Sequence, residues 1–162
     1  MSAEIQSFWE DAKVRANLNR LRAYAGGNAQ EALCPPAWAF GADAEQADEL
    51  LQLVLEGVKT ATSSAARDYE AEDEPLPTVG SLSIITDGAG HPRALITTTE
   101  VRTVPFGDVD EAHARDEGEG DRSLAHWRKV HTDFFTQSAG EGAAAVSDDL
   151  PVVLERFEVL YS

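Results

Sequence analysis

Cysteine is nearly absent from this 162-residue chain, with Cys34 the only one. A single thiol excludes a disulfide framework and a thiolate metal cluster, and it fits a reducing compartment. Positive charge is also scarce. Lys and Arg number 13 against 29 Asp and Glu, for a formal net charge of −16. Such a field repels polyanions over distance, which argues against long duplex DNA and anionic membranes as partners. No apolar run approaches the length of a membrane span. The opening MSAEIQSFWEDAKV carries charge where a secretory signal would be apolar, so a soluble cytoplasmic protein is expected. A P-loop, a dinucleotide fingerprint and a zinc-protease motif are missing too. His126 and His131 lie five apart and share no helix face, which speaks against a two-histidine metal site.

What is present suits a globular protein with a real core. Hydrophobic residues make up 43% and charged residues 26%, both ordinary values. Ile5, Phe8, Trp9, Ala12 and Ala16 recur at helical spacing, so one or two helices are expected from about Ala3 to Leu21. Gly26, Gly27 and Asn28 should stop them. Residues 1–35 read as a helical extension packed on a compact domain over residues 36–162. Pro35 and Pro36 lead into a short strand at Ala37 to Phe40. Asp43 then caps a helix, with Gln46 placed to reach back, and Gly57 supplies its permissive end.

Thr60 to Ala65 reads as a strand, and Arg67 to Pro77 as a loop or short helix. Ser81 to Thr86 and Ala94 to Val104 are β-rich runs joined by Asp87-Gly88-Ala89-Gly90, a hairpin signal. Asp110 to Glu117 suggests a short helix. Arg122 to Gln137 suggests a longer one, capped by Asp121 or Ser123. Val152 to Tyr161 alternates as a closing strand. So many strands with so few crossover helices exclude a parallel sheet. The fold class expected is α+β, a small and mostly antiparallel sheet or barrel with flanking helices.

Three groupings could carry chemistry. Lys59 follows an apolar helix and precedes Thr62. A desolvated lysine could act as a base toward that hydroxyl if the chain bends just after Gly57. The plain alternative is a lysine serving the helix C-terminal carbonyls. His113 and Glu117 sit four apart and share a face if helical, able to share a proton or bind a metal; a solvated acidic loop is the alternative. On the later helix, Leu124, Trp127, His131, Phe134 and Phe135 form the apolar stripe, with Arg128 at its edge. An arginine there can bind phosphate or stack on a base, or simply pair with a carboxylate.

Phe40-Gly41-Ala42-Asp43, Ala47-Asp48-Glu49-Leu50 and Gly57-Val58-Lys59-Thr60-Ala61-Thr62 resemble the opening of the ASCH domain. Val79-Gly80, Thr99-Glu100-Val101, and Glu119-Gly120-Asp121-Arg122-Ser123-Leu124 with Trp127 and His131 continue the resemblance in order. It spans about Pro36 to Tyr161. The resemblance implies a PUA-like β-barrel with helices at its ends and a cleft for RNA or nucleotides. It also implies one of two activities, ribonuclease or removal of the acetyl group from acetylcytidine. The amidohydrolase branch works with a lysine, a threonine three residues later and a glutamate, which match Lys59, Thr62 and Glu117 here. Those enzymes are shorter and lack an N-terminal extension, and this chain looks more like a longer bacterial branch described as predicted RNA-binding.

On that resemblance, Lys59 would serve as base, Thr62 as nucleophile or water-positioning hydroxyl, and Glu117 as proton donor and acceptor. Thr60, Arg122, Ser123, Trp127, Arg128 and His131 would hold the substrate, a short single-stranded RNA or a small nucleoside. No cofactor is expected, and a divalent metal enters only for the ribonuclease reading. The alternatives are a non-catalytic RNA- or nucleotide-binding module and an acidic domain that meets a basic protein.

Overall fold

The structure, a computed structural model, describes residues 1–18 and 33–162. The expected end of the first helix at Leu21 and its stop at Gly26, Gly27 and Asn28 lie outside the described residues. Helix α1 covers Ala3–Arg15 and starts on Ser2, whose hydroxyl accepts from the Ile5 amide. Its buried Trp9 and Ala12 pack with Ile84 and Leu95. Strand β1 is only Ala37–Trp38.

Helix α2, Ala44–Leu55, buries Ala47, Leu50, Leu51 and Val54 on one face, the 3.6-residue stripe read from the sequence. Asp43 accepts from the Gln46 amide at 2.9 Å, as a cap should. The reciprocal bond from the Gln46 side chain goes one residue further back, to the Ala42 amide at 2.8 Å. Strand β2 follows at Ala61–Ala65 and helix α3 at Ala66–Ala71. Strands β3, Leu82–Thr86, and β4, Pro92–Pro105, make the expected hairpin, closed where the Asp87 amide donates to the His91 carbonyl.

A single 3₁₀ turn at Phe106–Asp108 leads to α4, Glu111–Glu117, capped by Asp110, and then to α5, Leu124–Ser138. The cap of α5 is Ser123, which accepts from the His126 amide at 3.1 Å. Strand β5, Pro151–Tyr161, ends the chain.

The strands hydrogen-bond in the order β1-β3-β4-β5-β2. β1 runs parallel to β3, while β3–β4 and β2–β5 are antiparallel. The fold is α+β as expected, but the barrel does not close. β1 and β2 remain the two edges, and β1 has only two residues with which to carry a ladder.

By internal contacts the chain forms two compact units. One is Met1–Leu55 with Leu82–Thr97 and Glu158–Ser162; the other is Glu56–Ser81 with Thr98–Phe157. In the second, Phe106, Val109, Trp127, Phe135, Val152 and Leu154 form the core. Among the described residues no helix is long and apolar enough to cross a membrane.

Candidate functional site

The second unit buries an unusual amount of charge. Lys59, His113, Glu117 and His131 are all under 7% exposed, and Ser63 is 8% exposed. Ionisable groups are rarely so deep unless they meet one another, and these do.

Strand β2 accounts for part of the gathering. Its burial alternates strictly, with Ala61, Ser63 and Ala65 inward and Thr62 and Ser64 on the other face. Ahead of it, Gly57 takes a φ of +74°, which lets the chain turn two residues past the end of α2. Thr60 is tied down on both sides. Its amide donates to the Asp116 carbonyl at 2.8 Å, and its own carbonyl accepts from Phe157. Lys59 is thereby held against the C-terminal end of α4. Its Nζ donates to the Ala61 carbonyl at 2.9 Å and lies 3.8 Å from Glu119 Oε1. That carbonyl belongs to the peptide that enters Thr62.

Glu117 is at the centre. Ser63 Oγ donates to Oε1, and His113 Nε2 approaches the same oxygen at 2.8 Å. His113 Nε2 is also 2.8 Å from Ser63 Oγ. Since the serine proton goes to the carboxylate, Nε2 must carry the proton for the other two contacts. On the second oxygen, His131 Nε2 stands 3.1 Å away. His131 Nδ1 donates to the Trp127 carbonyl at 2.9 Å, so both its nitrogens face acceptors, an arrangement that favours the imidazolium. The ring stacks on Trp127 with centroids 4.3 Å apart, a contact that favours a cation.

The titration behaviour follows. Burial pushes the Glu117 carboxyl up, but the charges of His131 and Lys59 and the His113 bond outweigh it and hold it well below the usual range. Burial likewise pulls His131 down, and Glu117, with Glu119 behind it, more than reverses this and raises it.

Of the residues expected from the sequence, Lys59, Glu117, Trp127 and His131 gather here. Thr62 stands on the opposite face of β2 from Ser63, next in the chain to the carbonyl that Lys59 binds. Thr60 Oγ1 lies 3.3 Å from the Asp116 carbonyl, which it anchors to. Arg128 donates to the Gly107 carbonyl at 3.0 Å, and Arg122, at a φ of +64°, donates to the Arg115 carbonyl at 3.0 Å. Ser123 is the cap of α5. These last residues serve the framework that carries the site.

Ser63, Glu119 and His113 were not named as site residues from the sequence, although the pairing of His113 with Glu117 was anticipated there. The four-residue spacing of His113 and Glu117 was the visible signal for one of them. Ser63 carried none, because it looks like any small residue of a strand.

Glu117, Glu119 and His131 each offer an atom within 4.8 Å of the others, a set compatible with a divalent cation. Lys59 and the His131 imidazolium already face those carboxylates, so a cation would have to displace them.

A sequence profile of the ASCH domain matches residues 36–161. A crystal structure of an ASCH domain from Lactobacillus crispatus is similar at a TM-score of 0.75 and 32% identity, covering 91% of this chain and 95% of that one. A protein from Enterococcus faecalis is similar at a TM-score of 0.74 and 33% identity, covering 92% and 88%. No functionally curated protein matches the chain. With a matching profile over most of its length and two solved relatives of the same architecture, the chain belongs to the ASCH domain family.

Proposed function

We propose that this ASCH domain is a hydrolase acting on a modified nucleoside or a short single-stranded RNA, with Lys59, Thr62 and Glu117 as its working residues. The observation that carries the reading is the seat of Lys59: a buried ammonium bound to the carbonyl that enters Thr62, with Glu117 and Glu119 beside it. A charged group so placed adds little to folding and is well placed for chemistry.

For an acyl amide such as acetylcytidine, the Lys59 ammonium first releases a proton to solvent, and the amine then takes the proton of the Thr62 hydroxyl as Oγ1 bonds to the acyl carbon. The carbon–nitrogen bond breaks, and the leaving amine receives that proton back from Lys59. Water then releases acetate from Thr62. Glu117 and Glu119 stabilise the ammonium that forms between the two steps. Held so low, Glu117 is a poor proton donor at neutral pH, so its part is electrostatic and positional rather than that of the acid first expected. For RNA, the Lys59 ammonium would instead stabilise charge developing on the phosphate. The net charge of −16 favours a small substrate in either case.

The test is to incubate the purified protein with acetylcytidine and, separately, with end-labelled RNA, each with and without divalent metal. Cytidine plus acetate, or shortened RNA, supports the hydrolase. A tight complex without product would move the reading to a binding module. The hold of Ser63 and His113 on one Glu117 oxygen, with His131 paired to the other, also suits that second reading, since such a network holds its geometry without reacting.

A further inference from the structure

The face of β2 that carries Thr62 holds a second set of polar groups, separate from the Glu117 cluster. Thr62 is paired across the ladder with Glu155 of β5, so their side chains leave the same face as direct neighbours. Two residues along, Ser64 Oγ is 2.9 Å from the Tyr69 hydroxyl, brought back over the strand by α3. Ser64 and Tyr69 are part-buried, as are Thr62 and Glu155. Among the described residues the Glu155 carboxyl has no hydrogen-bond or ion-pair partner, and burial alone raises it. Ser64 is the diagonal neighbour of Glu155 on this face, and burial, with a smaller push from the Glu155 charge, raises the Tyr69 phenol against the lowering by its Ser64 bond. Arg156, the nearest cation in sequence, leaves the opposite face of β5 and pairs with Asp116. Neither Glu155 oxygen is sealed from solvent, so the carboxyl stays open to a donor from outside the protein.

We propose that Glu155, with the Ser64–Tyr69 hydroxyl pair beside it, recognises the amino-bearing edge of a nucleobase seated over the Thr62 face of β2. The carboxyl accepts from the exocyclic N–H, and the hydroxyl pair, able to donate or accept, takes the neighbouring ring position. A base lacking that amine presents an oxygen to the carboxyl and is repelled. The inference rests on the hydrolase reading in taking a nucleoside as the ligand. It adds the residue that selects the base and places that residue on the Thr62 side of the strand.

Titration calorimetry with cytidine and with uridine on the wild type, Glu155→Gln and Tyr69→Phe tests it, because base preference is readable without turnover. The wild type should prefer cytidine by roughly tenfold or more. Glu155→Gln should lose most of that preference with uridine binding retained, which also shows that the variant is folded. Tyr69→Phe, which keeps the ring, should lose a smaller part. Equal preference in the wild type and Glu155→Gln, or no cytidine binding by the wild type, overturns the proposal. Base preference without any hydrolysis would instead retain it and remove the hydrolase.

Discussion

Glu117 and His131 stabilise the fold only while both are charged, and that gives the protein a pH window. The Glu117 carboxyl is depressed below its ordinary 4.5, so its contribution is complete above that value and is lost as pH falls through the depressed one. His131 is raised above its ordinary 6.5, so its contribution is complete below 6.5 and is lost as pH rises through the raised value. These two groups therefore stabilise most between 4.5 and 6.5. Thermal unfolding of the wild type and His131→Asn across pH reads this directly. The gap between them should narrow as pH climbs from 6.5 through the raised value, where the folded wild type loses its imidazolium; a gap constant with pH contradicts the ion pair.

At the scale of elements, the helix ends and the hairpin were legible because local chemistry decides them. Asp43, Asp110 and Ser123 cap the helices that follow, and the Asp87 to Gly90 turn closes β3 on β4. The site was legible in part. The spacing of His113 and Glu117 put both on one face of α4, whereas the partner across the chain, Ser63, depends on which face of β2 turns inward. No single-strand pattern of small residues settles that. Arg128 shows a related limit, since local sequence marks it as basic and available, whereas only the tertiary structure reveals that one of its guanidinium nitrogens bonds the Gly107 carbonyl.

The link from β2 to α4 makes its own prediction. Gly118, at a φ of +75°, ends α4, and a Cβ there would lie 2.7 Å from the Val58 carbonyl oxygen, beside Lys59. Gly118→Ala should lower the stability by about 1–3 kcal/mol in urea unfolding. It should also slow turnover by displacing the Lys59 segment. An unchanged urea midpoint would mean that the two segments are not packed as described.

For the whole molecule, the net charge of −16 opposes compaction, and most of it lies outside the buried cluster. Raising salt from about 0.01 M to about 0.5 M shortens the Debye length severalfold and should raise the unfolding temperature by a few degrees, roughly. A fall in that temperature would show that specific surface ion pairs outweigh general repulsion. The same charge makes the proposed substrate small, so the central claim is best tested on a nucleoside. Comparing acetylcytidine hydrolysis by the wild type and by Lys59→Ala, with the unfolding temperature of each, tests it most directly. The account predicts that folded Lys59→Ala loses turnover by roughly 10²–10⁴-fold. Undiminished hydrolysis by that variant would contradict it.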